Sequence, residues 1–128
     1  MTEGRQAVSA ADAPRAVGPY SHAVWAGGLV YLSGQTPLDP TTGTLVEGDV
    51  ATQTRQVFTN LAAVLTAAGL TLEHVVKTTV YLTDLVDFTV MNEVYAQMFS
   101  EPYPARTTIG VAGLPLGAQV EIELIAQP

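Results

Sequence analysis

Ser21-His22-Ala23-Val24-Trp25-Ala26-Gly27-Gly28-Leu29-Val30-Tyr31-Leu32-Ser33 is the stretch whose reading decides the fold. Two apolar, β-rich runs flank a Gly-Gly pair, the spacing and composition of a tight hairpin, and predict strands at about 22–26 and 29–33. In the second run Leu29, Val30, Tyr31 and Leu32 are apolar on both parities, so both faces of that strand are expected to be covered.

Upstream, residues 1–19 carry Pro14, Gly18 and Pro19 and read as an extended or turning arm, with order expected from about Ser21. Downstream, residues 34–48 are dense in Gly, Pro, Thr and Asp, which predicts a structured loop with turns at Asp39-Pro40 and Thr42-Gly43. From Val50 to Ala68 the residues Val50, Val57, Phe58, Leu61, Val64, Leu65 and Ala68 recur at helical spacing, between an Asp49 N-cap and a terminating Gly69. The opposite side, Gln53, Arg55, Gln56 and Asn60, is expected to be wet. His74–Thr83 is β-branched and aromatic, hence a strand. A second helix is expected from about Leu85 to Phe99, capped by Asp84, with Val86, Val90, Val94 and Met98 or Phe99 inside. Closing strands are expected near Arg106–Ala112 and Gln119–Ala126.

The order is ββ, helix, β, helix, ββ. It predicts a sheet of five or six strands with two helices on one face. Two helices leave the other face bare, and Leu29–Leu32 with the apolar side of the last strand, Val120, Ile122 and Leu124, imply more apolar surface than they cover. An obligate oligomer of closed cyclic symmetry is the expectation, with two or three subunits.

The 128 residues fall within the usual size of one domain, and with 48% apolar and 13% charged residues the chain has material for a core. The absence of cysteine excludes disulfides, thiolate metal sites and thiol nucleophiles. Residues 1–12 resemble neither a secretory signal nor a transit peptide, so the cytoplasm is the default, and no apolar run is long enough to span a membrane. The net charge is −7, and the cations Arg5, Arg15, Arg55, Lys77 and Arg106 are scattered, which makes nucleic acid a poor partner. His22 and His74 lack metal-ligand spacing and no Gly-rich phosphate loop exists, so neither metal nor nucleotide is expected.

Arg106 stands in Pro-Tyr-Pro-Ala-Arg-Thr-Thr, at the mouth of a strand and among small or apolar neighbours. Its planar fork of donors suits a small carboxylate; the competing reading is an ion pair to Glu121, Glu123 or Asp87. Strand alternation puts Glu121 and Glu123 on one face, about 7 Å apart. A partly desolvated carboxylate there suits a general base on water, and a solvated polar face is the alternative. Tyr20, Ser33, Asn92 and Tyr95 are possible hydrogen-bonding groups, each with an ordinary explanation as a turn, strand-end or helix-surface residue.

Taken together, Val17-Gly18-Pro19-Tyr20-Ser21, Leu32-Ser33-Gly34-Gln35, Val76-Lys77-Thr78-Thr79-Val80-Tyr81-Leu82, Met91-Asn92-Glu93-Val94-Tyr95, Pro104-Ala105-Arg106-Thr107-Thr108 and Val120-Glu121-Ile122-Glu123 resemble the RidA/YjgF family. These are reactive intermediate deaminases, once labelled endoribonucleases or translation inhibitors. The resemblance runs from about residue 13 to the end. It implies a chorismate-mutase-like α+β fold with a mainly antiparallel sheet, and a homotrimer with clefts between subunits. It also implies cofactor-free hydrolysis of imines such as that of 2-aminoacrylate. Arg106 would bind the substrate carboxylate and Glu121 would activate water, with Tyr20, Ser33, Gly34 and Asn92 lining the cleft. Thr108 stands where family members often carry Cys, so that position offers polar contact or shape without a thiol. Ribonuclease action, a sibling deaminase specificity and a non-catalytic ligand-binding trimer are the rival readings.

Overall fold

The computed structural model describes residues 4–128. Six strands, β1 (Gln6–Val8), β2 (Ala23–Ala26), β3 (Leu29–Gln35), β4 (Val75–Leu82), β5 (Ala105–Gly110) and β6 (Val120–Ala126), form one sheet in the order β1-β2-β3-β6-β4-β5. Among the described residues only β4 and β5 run parallel, joined by the crossover helix α2 (Phe88–Met98), and α1 (Val50–Ala67) packs beside it on the same face. The expected α+β architecture is present.

Each element has a local cause. The hairpin turns at Gly27 and Gly28 with φ of 60° and 81°, the left-handed values that a two-residue turn of this hand requires at both positions. Asp49 accepts the Thr52 N–H at 3.0 Å and starts α1. The helix ends in a Schellman pattern, with Leu70 N–H donating to Leu65 O and Gly69 N–H to Thr66 O. Phe58, Leu61 and Leu65 of α1 then bury completely against Val30, Val80, Leu82 and Ile122 of the sheet.

Several expectations need correction. The arm is not loose before Ser21: β1 pairs with β2, and the buried His22 ring holds residues 10–14, accepting the Ala10 N–H at 2.9 Å and donating to Pro14 O at 2.7 Å. Burial of both faces of β3 is not met within one chain, since Val30 and Leu32 are covered while Tyr31 is 40% exposed. Val120, Ile122 and Leu124 lie under the helices and are no part of the open face. In the second helical segment Asp84 caps a separate 3-10 turn (Leu85–Asp87) before α2 begins. That turn resets the helical phase, so Met91, Val94 and Tyr95 point inward and Val86 and Val90 outward.

The wet side assigned to α1 is also partly wrong, for a reason that matters to the site. Gln53 and Asn60 are buried. Asn60 Nδ2 donates to the carbonyls of Thr36 (3.2 Å) and Leu38 (2.9 Å), and Gln53 Oε1 accepts the Gln119 N–H at 2.8 Å. These side chains replace water for loop backbone that would otherwise be buried unsatisfied. Asn60→Ala leaves two carbonyls without that donor and is expected to lower unfolding stability by about 2–3 kcal/mol in urea titration, against near zero for the exposed Thr59→Ala.

Candidate functional site

The sequence candidates fall into two groups. Glu121 lines an open cavity of 560 Å³ with Tyr20, Ser33 and Gly34, all three expected from the sequence. A register shift between Leu32 and Gln35 of β3 puts Ser33 and Gly34 beside the Glu121 carboxylate, the kind of local bulge that re-aims side chains near sites. A Cβ built on Gly34 would fall inside the Glu121 carboxylate, so the residue there must be glycine for that carboxylate to keep its place. Ser33 Oγ donates to Ser21 O at 2.6 Å, which leaves its lone pairs free to accept. Thr36 and Leu38, held by Asn60, complete one wall; Pro14, Arg15 and Val17 of the arm, together with Pro115 and Leu116, complete another. The arm and the Leu116 loop are contributions that sequence reasoning missed.

Burial raises the pKa of the Glu121 carboxyl, and the charge of Glu123 adds to the effect. Glu123 is exposed and accepts the Tyr81 hydroxyl at 2.9 Å, so the two acids share a face but differ in surroundings. A carboxylate with a raised pKa is a stronger base toward water.

Arg106 and Asn92 line a second cavity, of 440 Å³, with Tyr95, Ala96, Tyr103 and Pro104. Arg106 Nη1 donates to Asn92 Oδ1 at 2.7 Å. Its Cζ lies 4.6 Å from the centroid of the Tyr95 ring and 5.5 Å from that of Phe88. No carboxylate of the described residues joins these partners, so the ion pair to Glu121, Glu123 or Asp87 is not made. Thr108, two residues along the same face of β5, has its hydroxyl oxygen buried with no partner among the described residues. Tyr95 is a core residue, not a helix-surface one. Phe88, Asn92 and Tyr95 share the i, i+4, i+7 spacing of one helix face, a signal that could have marked them as a set.

Arg106 and Glu121 do not meet within one chain. Arg106 pairs in register with Thr78 on β4, and Thr78 points toward the helices, where it bonds Tyr95. Glu121 pairs with Tyr81, three residues on, which points to the open face. Alternation therefore sends the two side chains to opposite sides of the sheet, from Cα atoms about 14 Å apart by strand spacing and rise.

Gly34→Ala is expected to fold, since no left-handed backbone is required there, while the Glu121 carboxylate is pushed from its place beside β3. A crystal structure of the variant checks this; an unmoved Glu121 would contradict it.

The profile of the family described as Endoribonuclease L-PSP matches residues 10–127. A human protein named 2-iminobutanoate/2-iminopropanoate deaminase is 47% identical over 95% of this chain and 89% of its own length. RidA from an Antarctic Psychrobacter superimposes with a TM-score of 0.92 at 52% identity, covering 97% of this chain and all of the other. Escherichia coli TdcF with bound serine superimposes with a TM-score of 0.90 at 42% identity, covering 96% and 99%. With the sheet order, the two helices and the shared sequence running the length of the domain, the chain belongs to the RidA/YjgF family, the family described as Endoribonuclease L-PSP.

Proposed function

We propose that this protein is a cytoplasmic, cofactor-free deaminase that hydrolyses 2-imino and enamine acids such as 2-aminoacrylate to 2-keto acids and ammonia. It works as a homotrimer with sites between subunits. The observation that carries the proposal is the division of the site: a guanidinium with no acid of the described residues beside it on one face, and a carboxylate in a cavity on the other. Two copies that bring these faces together form a cleft with both groups in it. Apolar side chains at both halves support such an interface, with Val17, Tyr20 and Leu116 exposed around Glu121 and Phe88 and Tyr103 exposed around Arg106.

In that cleft Arg106 of one subunit pairs with the substrate carboxylate and fixes the imine carbon near a water held by Glu121 of the partner subunit. Glu121 takes a proton as the water oxygen attacks carbon and returns it to the imine nitrogen as the C=N π bond opens. The carbinolamine collapses as its hydroxyl proton passes by way of Glu121 to the amino nitrogen and the C–N bond breaks, releasing ammonia and the keto acid. Ser33 Oγ, its own proton committed to Ser21 O, can accept an N–H of the substrate, and Asn92 steadies Arg106. Thr108 contributes its unpaired hydroxyl, Tyr20 an aromatic wall, and Gly34 the space Glu121 occupies.

The serine bound to TdcF favours a second reading, a binding module for small amino or keto acids that uses the same cleft. Ribonuclease action is disfavoured by a net charge of −7 with few, dispersed cations.

The deciding assay generates 2-aminoacrylate in situ with a dehydratase and monitors keto acid formation. Wild type should accelerate it, while Arg106→Ala and Glu121→Gln should each lose on the order of 100-fold or more of kcat/KM. Activity should fall with decreasing pH as Glu121 is protonated, with a midpoint above that of an ordinary glutamate because of its raised pKa. Tight keto acid binding without acceleration would favour the binding module, and full activity in Arg106→Ala would remove the proposal.

A further inference from the structure

A guanidinium on a flexible stem can grip a carboxylate through two parallel hydrogen bonds only if its plane is set beforehand. Arg106 lies over the ring of Tyr95, with Cζ 4.6 Å from the centroid. That ring is fixed from several sides. Phe58 meets it edge-on at 5.7 Å, Phe99 lies 4.9 Å away at 45°, and the Tyr95 hydroxyl bonds the Thr78 hydroxyl at 2.7 Å. Thr78 is fully buried and Tyr95 only 5% exposed, so the ring has no room to turn. Asn92 Oδ1, 2.7 Å from Nη1, sets the remaining angle of the guanidinium within its plane.

The choice of a ring instead of a carboxylate has a chemical consequence. An acid beside Arg106 would neutralise its charge and occupy two donors; a ring face attracts the cation through its quadrupole and occupies none. Among the described residues Asn92 takes one of the five N–H donors, and the others stay available to a ligand.

We infer that Tyr95 is the positioning residue of the anion site: its ring, clamped by Thr78, Phe58 and Phe99, sets the plane in which Arg106 presents its fork to a carboxylate. This rests on the proposed role of Arg106 as carboxylate binder and adds what orients it. A Tyr95 that served only the core would affect stability but not the discrimination between a carboxylate and a neutral ligand.

The test is calorimetric titration of the full chain with 2-oxobutanoate and with the uncharged 2-oxobutanamide. The reference is wild type. Tyr95→Leu should bind it about 10-fold more weakly, with the affinity for the amide unchanged and with a matching rise in KM at nearly constant kcat. Because Tyr95→Leu also removes core volume, a second variant places pentafluorophenylalanine at position 95, which keeps the shape and reverses the quadrupole; it should weaken keto acid binding in the same way. Either variant, once folded, binding as tightly as the reference overturns the inference. Wild-type affinity in Arg106→Ala overturns instead the assignment of Arg106 on which it rests.

Discussion

Side chains on a β-strand alternate between two faces, and that parity governs how this protein can assemble a site. Arg106 on β5 and Glu121 on β6 are both neighbours of β4, yet their partners on β4, Thr78 and Tyr81, are an odd number of residues apart. No side-chain rotation moves a group through a sheet, so the two charges belong to different surfaces of one chain. Such an arrangement is of use where a second copy closes the gap. The uncovered Tyr31 and Ile109 on the open face are consistent with a surface that other subunits cover.

Each half of the site is held by buried polar groups that the same chain supplies. On the carboxylate side, Asn60 and Gln53 of α1 pin the backbone of residues 36–38 and 119, and His22 pins the arm. On the arginine side, Thr78 and Asn92 hold the Tyr95 ring and the guanidinium. Both halves are thus shaped within one chain, which under the proposed function lowers the ordering cost of forming a cleft and of binding in it. The charges themselves are left uncompensated: burial and Glu123 raise the pKa of Glu121, and Arg106 faces rings. A ligand carrying a carboxylate at one end and an electrophilic carbon near the other answers both.

Much of this was legible in the residues. Gly27-Gly28 announced the hairpin, the 3.6-residue pattern from Val50 announced α1, and the isolation of Arg106 from acids in sequence survived into space. What failed did so for tertiary reasons. Gln53 and Asn60 read as solvent-facing because polarity marks a wet surface only when no loop backbone needs the same donors and acceptors. The second helix slipped in phase because a 3-10 turn capped by Asp84 stands before it. The arm read as loose because short edge strands carry little periodicity, and His22 looked ordinary until its two ring nitrogens were seen to bind Ala10 and Pro14. That Arg106 and Glu121 lie on opposite faces is a consequence of pairing register, which no single strand reveals.

The most direct test of a site shared between copies is subunit complementation. Arg106→Ala and Glu121→Gln chains, each expected to be nearly inactive alone, are unfolded together, mixed in equal amounts and refolded, and deaminase activity is measured. In any closed ring of random composition about a quarter of the interfaces join an intact Arg106 to an intact Glu121, so about a quarter of wild-type activity should return. Activity that stays at the level of the separate variants would show that both groups act from one chain, and would contradict the account.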